Sequence, residues 1–230
     1  KIFYLSQSYL GLSEGHFRVR SIDDLPYLHK IRTPELMSVI DKRRMPKQIT
    51  IATEGDPQWI FRDVDWDERT SGSIISNPGP SMFHDGEGNA VQRAISAISF
   101  YRGRLFLASE DILVSSQINN FDNFWISNPD NIAVSDPVDL RVSSNAYTPI
   151  TYLQPYRNFL FLATDGSTQY ELLGSENQIS PLTAEIAPTS FYSMARDVPP
   201  VLLNNSLFFL DKKKLYIYFG EQTEAQQNSM

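Results

Sequence analysis

The sequence has no cysteine, so neither a disulfide nor a thiolate-bound metal can hold it together. No apolar run approaches the roughly 18 residues of a membrane-spanning helix. Positive charge is in deficit. Lys and Arg number 20 against 27 Asp and Glu, a net charge of −7. That balance argues against a surface that grips nucleic acid by neutralising phosphates. The three histidines, His16, His29 and His84, are too far apart to suggest a ligand set or a catalytic relay. Each reads as a structural or surface residue. GxSxG, HExxH and phosphate-cradling glycine motifs are missing, so nucleophilic catalysis has no visible machinery. Helix signals are few. Residues 23–32 offer a turn or two, with Pro26 inside the stretch.

Aromatic residues are abundant, with 14 Phe, 11 Tyr and 3 Trp in 230 residues. They favour strands and large packed interfaces. The dominant feature is an internal repeat. Residues 101–108 read YRGRLFLA and residues 156–163 read YRNFLFLA, with six of eight positions identical at an offset of 55. A weaker copy, LNNSLFFLDKKKLYIYFG, spans 203–220, and another, ELMSVIDKRRMPKQITI, starts at Glu35. In each, an apolar strand leads through a polar turn into a returning strand, as in a β-hairpin. Asp165-Gly166 is the strongest turn signal, because glycine tolerates the positive φ of tight hairpin turns. Taking Leu36, Leu105, Leu160 and Leu207 as equivalent gives spacings of 69, 55 and 47 residues. Propeller blades repeat at roughly 40–50 residues. Residues 59–66 and 139–144 supply candidate outer strands. An irregular β-sandwich is the competing reading.

Several motifs admit a functional and a plain reading. Asp63, Asp65 and Asp67 alternate and would share one face of a strand, but Glu68 stands where a calcium loop needs glycine, so a solvated face is favoured over a metal site. A two-carboxylate glycosidase is the sharpest enzymatic alternative. Asp111, Asp122, Asp136, Asp139 and Asp165 are available to it without forming a distinctive constellation. No catalytic, cofactor-binding or metal-ligating residue is assigned. In NNFDNFWISNPDN, residues 119–131, the aromatics Phe121, Phe124 and Trp125 either anchor a loop to the core or form a contact between subunits. The basic runs Lys42-Arg43-Arg44 and Lys212-Lys213-Lys214 read as solvated turn tips. Residues 77–80, NPGP, read as a rigid linker between repeats, and 82–90, MFHDGEGNA, as an exposed loop.

The order of these segments resembles the tail tubular protein B, or tail nozzle, family of short-tailed bacteriophages. The likeness rests on NPGPS at 77–81, SFYRGRLFLASEDILVSSQINNFDNFW at 99–125, SDPVDLRVSSN at 135–145, TYLQPYRNFLFLATDGSTQYEL at 151–172, ISPLTAEI at 179–186, and DLPYLHKIRTPELMSVIDKRRMPKQI at 24–49. It covers about residues 23–220. No single motif is specific. Their shared order carries the resemblance, while Leu113, Val114 and the loop at 82–89 depart from it.

The resulting expectation is an all-β, propeller-like array of antiparallel sheets built from repeated hairpins. The hairpins fall near 35–53, 101–116, 156–173 and 203–220 of a 23–220 domain, with an edge segment at 1–22 and a polar tail at 221–230 leading into the rest of a larger tail protein. The resemblance implies a non-enzymatic virion component, assembled in the host cytoplasm. It implies a six-fold ring of identical subunits below a head–tail adaptor, near tail fibres or spikes, through which double-stranded DNA passes without tight binding. No cofactor is implied. A propeller glycosidase acting on host polysaccharide, or a propeller-type binding scaffold, is the alternative. An acidic wall suits a conduit that must not hold DNA, and the isolated chain is expected to expose apolar patches that a ring would bury.

Overall fold

The computed structural model describes residues 28–32, 37–41, 47–51, 59–63 and 66–218, the last span without 86, 92, 145, 146, 176, 177, 197, 205, 212 and 213. The segments expected at 1–22 and 221–230 and the basic turn tips at 42–44 and 212–213 lie outside the described residues. Those residues are all-β, with no helix among them, and form four antiparallel sheets in which each strand pairs with its neighbour in sequence.

The first sheet contains β1 (Leu28–Arg32), β2 (Met37–Asp41), β3 (Lys47–Ile51) and β4 (Trp59–Asp63). The second contains β5 (Ala97–Tyr101), β6 (Arg104–Ser109), β7 (Ile112–Ser115) and β8 (Asp139–Arg141). The third contains β9 (Ile150–Tyr156), β10 (Phe159–Thr164), β11 (Gln169–Leu173) and β12 (Glu185–Ser190). The fourth contains β13 (Val201–Leu203), β14 (Ser206–Asp211) and β15 (Lys214–Tyr218).

Residues 28–32 are a strand where the sequence suggested helix. Pro26 deprives a helix there of a backbone donor, whereas pairing along Met37–Asp41 gives the segment a complete ladder partner.

Three of the four repeats, those at Leu105, Leu160 and Leu207, are equivalent in packing as well as in sequence, and Leu36 of the first lies outside the described residues. Strands β6 and β10 are buried along their whole length, because both sides of each strand are covered. On β6, Leu105 and Leu107 face a core with Met82, Ile95 and Phe124. Phe106 and Ala108 face the third sheet, where Leu160 and Leu162 of β10 meet them. One repeat later, Phe161 and Ala163 face the fourth sheet and pack with Leu207 and Phe209. Leu105, Leu160 and Leu207 thus all point back toward the preceding layer, and the residue after each points forward. Sheets two, three and four stack face to face in chain order.

Two hydrogen bonds to backbone carbonyls stitch the second and third sheets at one end. The Ser96 hydroxyl donates to Ile150 O at 2.6 Å, and Ile150 N donates to Glu110 O at 2.7 Å.

The turns expected near Glu110 and at 165–167 do join β6 to β7 and β10 to β11, but the left-handed backbone expected at Gly166 is absent and further turns precede β6 and β10. Gly166 does not take a left-handed backbone, whereas Arg102, Arg157 and Asn204, at equivalent repeat positions, do, with φ of 48°, 49° and 47°. Left-handed backbone costs a side-chain-bearing residue about 1–2 kcal/mol. Arg102 and Arg157 each lay their guanidinium over the preceding tyrosine ring, 5.4 and 5.1 Å from its centroid, which offsets part of that strain. The 165–168 connection is closed by side chains instead. Thr164 N donates to Gln169 Oε1 at 2.7 Å, and the Thr164 hydroxyl donates to Thr168 O at 2.6 Å.

Candidate functional site

The segment between β7 and β8 carries the aromatic residues singled out from the sequence. Two anchors fix it. The first is Arg104, at the start of β6. It follows the turn, so its side chain falls on the face toward the third sheet, at a position filled by Phe159 in the next repeat. The residue is completely buried. Its Nη1 donates to Ser116 O at 2.8 Å, Asp136 O at 2.7 Å and Ser135 O at 3.2 Å. Its Nη2 donates to Val134 O at 2.7 Å and, across the seam between sheets, to Ile179 O at 3.1 Å. Burial lowers its pKa to about 10, opposed by the nearby Asp136 charge, so the guanidinium is still charged at neutral pH.

The second anchor is the SDPVD stretch. Asp136 is buried, and its carboxylate accepts Ser127 N at 3.2 Å and Ala133 N at 2.8 Å. Asp139 accepts both the backbone N and the hydroxyl of Ser81 at 2.6 Å. The two carboxylates therefore fasten the aromatic segment and the NPGPS stretch to the same sheet. Asn77 completes the attachment, donating from Nδ2 to Ser71 O and to Ile126 O. Residues 77–81, expected as a rigid linker, are thus a strap fixed to the second sheet. Likewise Met82 is fully buried and Phe83 packs on the same core. The segment expected to be an exposed loop begins inside the core, because its two apolar residues follow the strap directly.

The three aromatics take different places. Phe124 is 4 % exposed and meets Trp66 and Phe83 edge-on, at centroid distances of 5.2 and 5.9 Å. Phe121 packs on Phe100 at 4.8 Å. Trp125 donates from Nε1 to Asp67 O at 2.7 Å, with His84 against one part of the indole and Arg69 over the ring at 5.2 Å. It lines a cleft of about 480 Å³ with Asp67, Glu68, Arg69, Gly72 and His84. Desolvation lowers the His84 pKa, a hydrogen bond from the imidazole to the Pro80 carbonyl opposes it, Arg69 adds to the shift and the Asp85 charge opposes it, so burial favours the neutral imidazole. Gly79 permits this crowding. With φ of 95°, a Cβ there would lie 2.6 Å from His84 Nδ1 and 2.7 Å from the Trp125 ring.

The acids offered to a glycosidase are dispersed. Asp111 pairs with Arg141 and Asp165 with Arg196, both at 3.6 Å. Asp136 and Asp139 hold backbone, and Asp122 accepts Asp67 N through its carbonyl. None of the five lines the cleft. The alternation of Asp63, Asp65 and Asp67 does not form one strand face, because β4 ends at Asp63 and Asp67 lies in the following loop. Asp65 lies outside the described residues. Among the described residues no group of acids and histidines is arranged to hold a metal ion, and no helix is long and apolar enough to cross a membrane. Arg104 went unremarked in the sequence. Its signal was the mismatch of Arg104 with Phe159 inside an otherwise matching repeat.

Residues 31–230 match the family model described as bacteriophage nozzle protein. The chain belongs to the bacteriophage nozzle protein family. It is also similar to the tail tubular protein gp12 of Escherichia phage T7, with 25 % identity over 173 residues, 75 % of this chain and 20 % of that protein. The chain thus spans about a fifth of the length of that curated relative. The nozzle match takes in the strap, the Arg104 anchor, the SDPVD stretch and all the sheets beyond the start of β1.

Proposed function

We propose that this chain is a wall segment of a phage tail conduit. Residues 23–220 act as one propeller-like array, with 1–22 at its edge and 221–230 leading on, in a protein whose copies close a six-fold ring beneath the head–tail adaptor. Double-stranded DNA is retained above the ring and passes through it during ejection, and fibres or spikes attach nearby. The observation that carries this reading is the equivalent stacking of Leu105, Leu160 and Leu207 against successive layers, in a chain of the nozzle family. Such a stack is a rigid scaffold whose construction does not depend on a catalytic site. The net charge of −7 suits a wall along which phosphates slide, because each cationic contact would add affinity to be broken as the genome moves.

A closed ring needs two different complementary patches on each copy. We assign part of one to the aromatic segment. Phe124 and Phe121 brace it from within, and Trp125, at the cleft, is the aromatic positioned to meet a neighbour. The protein acts as a non-enzymatic component of the virion, assembled in the host cytoplasm. Electron microscopy of the full-length protein tests the reading. The expected image is a six-fold ring with an axial opening. Particles that stay single at every concentration, or an open filament, would overturn it.

A further inference from the structure

The fourth sheet presents an apolar face that stands largely exposed among the described residues, with Phe208 and Leu210 half-buried within it. Register places Val201 opposite Phe208, Phe208 opposite Ile217, and Leu210 opposite Leu215. These five and Leu203 therefore lie on one side of the sheet, the side away from Leu207 and Phe209. Val201, Leu203, Leu215 and Ile217 are 55, 57, 64 and 47 % exposed. Only Ser206 is polar on this side. A sheet with one wet face normally alternates apolar and polar residues, and this one is apolar on both.

The repeat says what belongs there. Phe208 occupies the position of Phe106 and Phe161, which are both fully buried. Phe106 is covered by the third sheet, and Phe161 by the fourth.

We propose that this face is the docking site for a further antiparallel sheet of the same polypeptide, supplied by chain beyond residue 230. That sheet seats here as the third sheet seats on the second, with an uncharged inner face and aliphatic residues at alternate positions of its second strand. The proposal rests on the array reading above and adds its next neighbour. The T7 relative carries about four-fifths of its length outside the matched region, so a related polypeptide has chain enough to provide such a sheet.

The sequence contains no cysteine, which makes single-cysteine labelling clean. Leu203→Cys and Ile217→Cys are exposed to a maleimide in the 230-residue chain and in the full-length polypeptide. Each is diluted until light scattering reports a monomer, and reaction is read at the labelled peptide by mass spectrometry. Ile75→Cys, at a loop position 90 % exposed, serves as the reference. The expected result is fast labelling in the short chain and labelling about tenfold slower or more in the full-length monomer, with the reference unchanged. Equal labelling in the two monomers would overturn the proposal. Protection that grows only with protein concentration would also overturn it, by assigning the face to a second copy. Because monomers are compared, a failure of this test is distinct from a failure to form rings.

Discussion

Replacing Arg104 with methionine keeps the length of the side chain and removes all of its donors. Five carbonyl oxygens, of Ser116, Val134, Ser135, Asp136 and Ile179, then lose their guanidinium partner inside the fold. A hydrogen bond to a charged group contributes about 1.5–3 kcal/mol. Five such bonds would sum to far more than the net effect, because burying the cation is itself costly. Breaking a buried charged network by removing one partner typically costs about 3–5 kcal/mol. For a domain of this size that lowers Tm by roughly 6–20 °C.

Arg104→Phe, the residue found at the matching repeat position, should not rescue the fold, because an aromatic ring leaves the same carbonyls unsatisfied. Thermal melts measure the loss. Hydrogen exchange should place it in residues 117–136 and around Ile179, since these are what the guanidinium holds. Either variant melting within about 2 °C of the parent, a shift worth under roughly 1 kcal/mol, would refute the argument that this network holds the seam.

Gly79→Ala should destabilise by about 1–3 kcal/mol, from the left-handed backbone and the collision with Trp125; urea midpoints and tryptophan emission report it together. Phe161→Ala should cost about 3–5 kcal/mol, as for any large aromatic removed from a core, whereas Phe208→Ala in this same 230-residue chain should cost much less; equal urea midpoints for the two would contradict the stacking order. As pH falls below 6.5, the unfolded state takes up a proton at His84 before the folded state does, because the folded pKa is lowered, so stability should fall. His84→Gln should lose less stability between pH 7 and 5 in parallel urea titrations, and an identical loss would show that His84 does not contribute.

The repeated hairpins were legible because β6 and β10 share a long apolar run that needs no partner beyond adjacent copies of itself. Their turns were legible in part: those after β6 and β10 fall where the sequence put them, and those before these strands gave no signal. Arginine is a poor marker of left-handed backbone, so Arg102 and Arg157 gave no turn signal, while Asp165-Gly166 gave a strong one that Thr164 and Gln169 made unnecessary. The strap at 77–81 was read from its prolines as a linker. What fixes it is a pair of bonds to Asp139, 58 residues along the chain, and separation of that kind leaves no local trace. Phe124 and Trp125 look alike in sequence. They differ in the structure because one faces the core and the other lies beside Gly79 and His84.

Strands β6 and β10 have no outward side. A layer built on such a strand cannot exist alone in water, since half of its apolar surface would be bare wherever it stood. The smallest stable unit is therefore larger than one repeat, and change in length comes in whole layers. A deletion of half a hairpin would bare two neighbours at once, whereas loss or gain of a complete sheet would leave the remaining seams matched. Architecture of this sort can drift in its connecting loops while the number of its layers changes only in discrete steps.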